Sequence, residues 1–229
     1  MISSDPIGPQ VAADQPVFSM PSMRADKRLL DLLIASACLV VLSPLLVVVA
    51  ILVRATSPGP ALFRQRRMGL GRRQFELYKF RTMYEGNSSE AHREYVSKLL
   101  TDDHPPAGGS NGLFKLEDDP RITRIGRLLR RTSIDELPQL LNVLRGEMSL
   151  VGPRPVLPWE AELIGAAHSA RFLATPGITG LWQVSGRNRL TIRQGFDLDV
   201  EYLHRQSFIF DVLILLKTVP VVFDTSGAR

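Results

Sequence analysis

The chain has 229 residues, 45% of them hydrophobic, which is enough for one sizeable core but not for two full domains. Its formal net charge of +5 suits an anionic partner, and nucleic acid, lipid head groups and phosphate-bearing small molecules all meet that description. Cys38 is the only cysteine, so an intramolecular disulfide is excluded and a reducing cytoplasm is permitted.

Residues 1–23 combine several Pro, Ser and Asp with few large apolar side chains. Such a composition does not repay the entropy of ordering a backbone, so we predict a flexible N-terminal tail. The tail lacks the basic start and adjoining apolar core of a cleavable signal peptide. The location of the protein is therefore decided by the apolar segment that follows.

The segment from Leu32 to Val53 contains 22 residues without a charge, and as a straight helix it would be about 33 Å long. That length is enough to cross a membrane. Two features nevertheless predict that residues 24–56 form a re-entrant membrane helix. Pro44, which follows Ser43, removes a helix hydrogen bond near the centre and predicts a kink there. Basic residues flank both ends, so the positive-inside rule places both ends in the cytoplasm. They are Arg24, Lys27, Arg28, Arg54, Arg64, Arg66 and Arg67.

Two alternatives remain for this segment. One is a single pass with a tolerated proline kink, because a Ser or Thr side chain can re-satisfy the carbonyl that a proline leaves free. The other is a buried helix of a soluble protein, although the segment is apolar on every face and flanked by cations.

A second apolar stretch runs from Phe208 to Phe223 and is interrupted by Asp211, Lys217 and Pro220. It is too short and too charged to span a bilayer comfortably. We predict a helix that lies along the membrane surface. The alternative is an ordinary core helix that closes the globular domain.

The region between Arg54 and Arg81 contains eight basic residues and a single acid, Glu76. Contact with an anionic membrane surface explains most of this charge. Lys79 and Arg81 differ from the other cations because they follow an alternating run, residues 75–78, that predicts a short strand. We therefore predict that these two cations contact phosphate.

A pair of acids, Asp135 and Glu136, lies at the centre of the chain. Apolar residues at helical spacing predict an arginine-coated helix before it, carrying Ile122, Ile125, Leu128 and Leu129. A second helix is predicted to open at Asp135, after a cap at residues 132–133, because Pro138 is harmless only in a first turn. A helix N-terminus favours the ionised form of Asp135, which would suit a nucleophile or a metal ligand. The alternative is that both acids merely cap the helix.

The arginines around this acid pair favour a functional role. Arg130 lies just upstream, and Arg154 sits in a Gly-Pro-Arg-Pro turn over residues 152–155. Paired acids can hold a divalent ion, and guanidinium groups bind phosphate oxygens, as phosphoryl transfer requires. The sequence contains no motif for P-loop nucleotide hydrolysis, serine hydrolysis or zinc hydrolysis, so metal-assisted transfer remains.

Three motifs in this order resemble the bacterial sugar transferase family, the monotopic phosphoglycosyl transferases. They are KFRTM at residues 79–83, RITRIGRLLRRTSIDELPQLLNVLRGEMSLVGPRP at residues 121–155 and PGITGLWQVSGR at residues 176–187. The resemblance extends from Lys27 to Phe223 and implies a re-entrant helix broken at Ser43 and Pro44, with the catalytic face in the cytoplasm. The tail and residues 86–111, a polar insertion, match nothing diagnostic of the family.

The resemblance also implies the chemistry: transfer of a sugar-1-phosphate from a UDP-sugar to a polyprenyl phosphate, with release of UMP. It implies Asp135 as the covalent nucleophile, Glu136 as a Mg²⁺ ligand, and Arg130 and Arg154 as phosphate-binding residues. The last motif could hold the uracil or the diphosphate, since Gly177 and Gly180 permit a tight turn and polar or aromatic side chains follow them. These are Trp182, Gln183, Arg187 and Asn188. A structural Gly-Pro turn with a core Trp is the alternative.

Together these features predict an α+β fold, mostly α: a membrane hairpin at residues 24–56 and a small cytosolic catalytic domain at residues 57–229 with interfacial C-terminal helices. The implied location is the bacterial inner membrane, and the implied partners are the UDP-sugar, polyprenyl phosphate, membrane lipids and downstream glycosyltransferases. A homodimer is left open and nucleic acid is not expected. The rival hypotheses are direct displacement in a ternary complex and a non-catalytic basic anchor for acidic lipids.

Overall fold

The computed structural model describes residues 24–84, 93, 97, 121–186 and 190–223. Its helices are α1 (Ala25–Thr56), α2 (Arg124–Arg131), α3 (Gln139–Arg145), α4 (Pro158–Leu163), α5 (Leu181–Val184), α6 (Ile192–Arg205) and α7 (Phe208–Phe223). Its strands are β1 (Leu62–Met68), β2 (Gln74–Phe80), β3 (Ser149–Val151) and β4 (Gly177–Thr179). Three 3₁₀ helices add Leu70–Arg72, Ile134–Glu136 and Ala166–Leu173. The mostly helical α+β class is confirmed, while the predicted tail lies outside the described residues and the predicted insertion almost wholly so.

The buried residues of α1 lie near its two ends, and its middle has none. Near its N-terminus the buried residues are Lys27, Asp31 and Ala35, at the four-residue spacing of one helix face. Near its C-terminus they are Val49 and Val53, and no residue between positions 36 and 48 is buried. Only 11% of the most apolar 18-residue window of α1 is buried, which argues against the core helix of a soluble protein.

Pro44 lies inside α1, which continues without interruption from Ala25 to Thr56. Proline lacks an N–H, so the carbonyl four residues earlier, that of Val40, loses its helical donor. The Ser43 hydroxyl replaces that donor and donates a hydrogen bond to Val40 O, with an O···O distance of 2.8 Å. The sequence predicted a break here, but the hydroxyl offsets the lost hydrogen bond locally. The re-entrant path stays a prediction.

The β1–β2 hairpin is antiparallel, from Leu62 opposite Phe80 to Met68 opposite Gln74. The predicted strand before Lys79 is therefore confirmed. Fully buried Asn142, on α3, fixes this hairpin: its side-chain oxygen accepts from Tyr78 N at 3.1 Å and its nitrogen donates to Glu76 O at 2.7 Å. Because α3 follows the acid pair directly, Asn142 sets the distance between β2 and that pair.

Helix α7 has the bounds that the apolar stretch predicted, and it is two-faced. On the inner face, Asp211 forms a buried ion pair with Lys27 of α1 at 3.0 Å and accepts from the Tyr202 hydroxyl at 2.7 Å. The outer face exposes a stripe of large apolar side chains at helical spacing: Ile209, Leu213, Leu216 and Val219. Asp211 thus links α7 to α1 within the protein, and the exposed stripe suits the predicted contact with a membrane surface.

Candidate active site

The acid pair lies in the 3₁₀ helix Ile134–Glu136, between α2 and α3, and not in the first turn of α3. Ser133 adopts a left-handed conformation, with φ at 56°, and makes no side-chain cap, while α3 begins only at Gln139. The predicted cap was therefore wrong, and the predicted helix begins as a short 3₁₀ helix that is separate from α3. The helix ahead of the pair is also shorter than the apolar spacing suggested, because Thr123 caps it and accepts from Gly126 N.

The Asp135 carboxyl is only 8% exposed. Burial raises its pKa to about 6, assisted by the negative charge of Glu136 and opposed by the positive charges of Lys79 and Arg130. We expected a helix N-terminus to favour the carboxylate and so to lower this pKa, but the pKa is raised instead because desolvation dominates. Asp135 is thus a weakly acidic carboxyl amid charged groups, the kind of environment in which catalytic residues are found.

Lys79 and Glu136 form an ion pair, with Nζ 2.8 Å from Oε1. Arg130, in the last turn of α2, is held by Thr82, because its Nε donates to Thr82 Oγ1 at 2.9 Å. The contact depends on Gly126, where a Cβ would lie 2.2 Å from Thr82 O and would push α2 away from the end of β2. Two predicted phosphate ligands, Lys79 and Arg130, are therefore brought to the acid pair by the strand β2 and its continuation.

A shallow, open pocket lies beside this 3₁₀ helix. Four of the predicted site residues line it: Lys79, Glu136, Arg154 and Gln183. The remaining lining residues are Arg67, Leu77, Gln139, Pro155, Gly177 and Ile178. The charged groups of the lining are thus three cations and one carboxylate, an excess of positive charge that suits a polyanion.

Arg154 and Gln183 line the same pocket because the backbone after β3 packs closely against the backbone after β4. Strands β3 and β4 pair in parallel, with Ser149 opposite Gly177. A Cβ on Gly180 would lie 2.2 Å from Gly152 O, so only glycine allows this approach. Neither Gly177 nor Gly180 has a positive φ, so these glycines serve close packing and not the tight turn that the sequence suggested.

Arg67 is a site residue that the sequence did not identify. It was assigned with its neighbours to the membrane surface, but its side chain is only 14% exposed and lines the pocket. Its Nη1 donates to Pro155 O at 3.2 Å, beside Arg154. Burial, and then the charge of Arg154, lowers the pKa of Arg67 to about 10. The sequence carried no signal for this, because the strand LFRQRRM shows no apolar alternation and only the fold leaves Arg66 exposed and Arg67 half-buried.

The other predicted residues are placed less directly. Arg81 is buried and donates to Ser57 O at 2.8 Å, at the end of α1, and its contact with phosphate stays a prediction. Trp182 is buried in the core with Phe196 packed edge-on, so the alternative of a core Trp is confirmed. Arg187 and Asn188 lie outside the described residues. Gln183 Oε1 is buried without a hydrogen-bond partner among the described residues, so it could accept a hydrogen bond from a ligand.

The oxygen donors of the acid pair would suit a hard divalent cation such as Mg²⁺. Across the described residues no group of three or more His, Cys, Asp and Glu side chains lies together. Mg²⁺ needs no such group, because it is commonly held by one or two carboxylates together with substrate phosphates and water. In such a site Asp135 and Glu136 would supply the carboxylates, and a phosphate-bearing substrate would complete the coordination.

Comparison with known proteins agrees with these motifs. The profile described as "Bacterial sugar transferase" matches residues 22–225. The chain is 41% identical over 203 residues to the exopolysaccharide production protein ExoY of Sinorhizobium fredii, covering 88% of this chain and 87% of that protein. It is 39% identical over 234 residues to the UDP-glucose:undecaprenyl-phosphate glucose-1-phosphate transferase of Caulobacter vibrioides, covering 97% of this chain and 80% of that protein.

A third relative, the undecaprenyl-phosphate galactose phosphotransferase of Salmonella typhimurium, is 41% identical over 207 residues, which are 90% of this chain but 42% of that protein. The match thus corresponds to part of a larger relative and to most of the smaller ones. The chain belongs to the bacterial sugar transferase family and is a phosphoglycosyl transferase.

Proposed function

We propose that the protein transfers a sugar-1-phosphate from a UDP-sugar to a polyprenyl phosphate carrier and releases UMP, as the first membrane step of exopolysaccharide or other glycoconjugate assembly. The observation that carries this proposal is the pocket in which Arg67, Lys79 and Arg154 face a single carboxylate, Glu136. A nucleotide-sugar diphosphate is a dianion, and guanidinium groups bind its oxygens in pairs. The names of the relatives from Caulobacter and Salmonella support the same substrate classes.

Asp135 is the nucleophile in this proposal. One of its carboxylate oxygens attacks the phosphorus that bears the sugar, the bond from that phosphorus to the bridging oxygen breaks, and UMP leaves with the electron pair. An oxygen of the polyprenyl phosphate then attacks the same phosphorus and expels the Asp135 carboxylate, which regenerates the enzyme. Each step conserves atoms and charge without a further co-reactant. A pKa of about 6 leaves Asp135 ionised at neutral pH yet poorly solvated, which favours attack.

Glu136 and the cations act on the diphosphate. Bound Mg²⁺ would offset negative charge on the departing UMP, with Glu136 and Asp135 as its protein ligands. Lys79, already 2.8 Å from Glu136, holds this carboxylate in place. Arg154 and Arg67 bind phosphate oxygens, and Gln183 Oε1 accepts a hydrogen bond from the uracil or a sugar hydroxyl.

The re-entrant path of α1 is supported by its docking at both ends. Near the N-terminus, Arg28 donates to Val143 O at 2.6 Å and to Leu144 O at 2.8 Å, at the C-terminus of α3. Near the other end, Val53 packs in one cluster with Phe80 and Leu129. A helix that spanned the bilayer would carry one of these ends to the far side. We propose that the exposed middle of α1 enters and leaves the inner membrane from the cytoplasmic face.

The direct test is an assay of UMP release. Purified protein in detergent is mixed with Mg²⁺, polyprenyl phosphate and a panel of UDP-sugars. We expect UMP with at least one sugar and none from the Asp135→Asn variant. UMP release by the variant at the rate of the unaltered protein would contradict the proposal. The rival of a basic anchor for acidic lipids requires that no UDP-sugar yield UMP.

A further inference from the structure

A buried ion pair lies behind the pocket, on elements that the proposed reaction does not use. Arg171, in the 3₁₀ helix Ala166–Leu173, donates from Nε to Asp199 Oδ2 of α6 at 3.2 Å, and its Nη2 donates to the same oxygen. Both side chains are 1% exposed. The guanidinium is also covered by the Phe196 ring, whose centroid lies 4.4 Å from Cζ. The pair is thus completely removed from solvent.

This pair holds the backbone of Arg154. Nη2 of Arg171 donates to Arg154 O at 2.7 Å. Burial raises the pKa of Asp199 to about 6, opposed first by the charge and hydrogen bonds of Arg171 and then by the charge and backbone of Arg154. The peptide of a pocket arginine is therefore in contact with a fully buried ion pair.

Stability alone does not account for such a pair. Two buried charges lose hydration that their mutual attraction barely repays, and apolar replacements of similar volume are often as stable. What an apolar pair cannot supply is a donor for Arg154 O. The turn that carries this carbonyl, residues 152–155, contains two prolines and lies past the end of β3. The hydrogen bonds of β3 therefore do not include Arg154 O, and the Arg171 side chain supplies a donor in their place.

We propose that Arg171 and Asp199 are positioning residues that hold Arg154 in the orientation in which its guanidinium meets the diphosphate. This inference rests on the proposed function, because it requires Arg154 to bind phosphate. Arg171 and Asp199 touch no substrate themselves. Their effect passes through the Arg154 peptide, so it must disappear when the Arg154 side chain is removed.

A double-mutant cycle on UDP binding tests this. The affinity for UDP is measured by calorimetry, with Mg²⁺ present, for the unaltered protein, for Arg154→Ala, for Arg171→Met with Asp199→Leu, and for all three changes together. We expect Arg154→Ala to weaken binding roughly 10- to 100-fold, the usual loss for a hydrogen-bonded charge. We expect the pair replacement to weaken it several-fold alone and not at all in the Arg154→Ala background. Arg205→Met, which breaks the exposed pair with Glu201 on the same helix, is the control and should change nothing.

Each other outcome is informative. Equal losses in both backgrounds, or no loss in either, would overturn the positioning role. Unchanged UDP affinity in Arg154→Ala would instead contradict the proposed function of that arginine. If the replaced pair does not fold, as judged by thermal melting, Arg171→Lys decides, because it keeps the charge but loses the planar fork that serves two acceptors. Arg171→Lys should weaken UDP binding only while the Arg154 side chain is present. An equal loss of UDP affinity in the Arg154→Ala background would also overturn the inference.

Discussion

Gly152 and Gly177 lie back to back, so that a Cβ on Gly177 would sit 2.1 Å from the Gly152 backbone nitrogen. This contact presses the turn that carries Arg154 against the segment that leads to Gln183, and both side chains line one pocket. The pocket therefore depends on two backbones that approach more closely than any larger residue would allow.

Gly177→Ala should damage this junction. The added methyl cannot be accommodated without separating β3 from β4, and such overpacking typically costs about 1–3 kcal/mol or more. Thermal melting and UDP affinity should both fall. Gly165→Ala is the matched control, because nothing lies within 4 Å of a Cβ there. Equal melting temperatures for the two variants would contradict the close contact.

Arg67→Ala should weaken UDP binding by roughly tenfold or more, because it removes a guanidinium from the pocket wall. Arg66→Ala removes the same charge from an adjacent, exposed position and should leave the affinity within about twofold. Calorimetric titration with UDP compares the two. Equal losses would mean that overall charge, and not a contact in the pocket, governs binding.

Asp135→Asn should abolish turnover and yet stabilise the protein at neutral pH. The pKa of Asp135 is about 6, above its ordinary value of 3.8, so ionisation opposes folding. The opposition is nearly absent below about pH 4, grows between about pH 4 and 6 and is complete above that, at about 3 kcal/mol. Melting in EDTA should therefore show the variant to be more stable than the unaltered protein at pH 7.5, and the two to converge near pH 4. A variant that is less stable at pH 7.5 would contradict the burial of a charged Asp135.

Part of this arrangement could be predicted from the sequence. The strand ahead of Lys79 and the helix from Phe208 to Phe223 follow from local alternation and apolar patterning. The site role of Arg67 could not, because three arginines in β1 look alike until the hairpin and Pro155 bury one of them. The raised pKa of Asp135 could not be predicted either, because burial by elements distant in the sequence affects this pKa more than the local backbone does.

Pro44→Ala should move part of the population into a single-pass arrangement. α1 is already continuous through Pro44, but the proline removes one backbone hydrogen bond and weakens the helix there. Without the proline, residues 32–53 form an apolar helix of spanning length with no such weak point. The buried ion pair between Lys27 and Asp211 opposes this change, so the N-terminus should cross the membrane in only part of the population. A cysteine at position 20, in a Cys38→Ser background, reports the change through a membrane-impermeant reagent applied to intact cells. Labelling already present with Pro44 intact would refute the re-entrant path, and no labelling in either form would show that Pro44 alone does not set the topology.

In the proposed reaction, Asp135 carries the phosphosugar between donor and acceptor. The most direct measurement is the mass of the intact protein after incubation with Mg²⁺ and a UDP-sugar that supports turnover, without any polyprenyl phosphate. We expect the mass to increase by one sugar phosphate, and to return to its starting value when polyprenyl phosphate is added. The Asp135→Asn variant should show no increase. An unaltered protein that turns over but never gains this mass, or a variant that gains it, would contradict the account and favour direct displacement or another nucleophile.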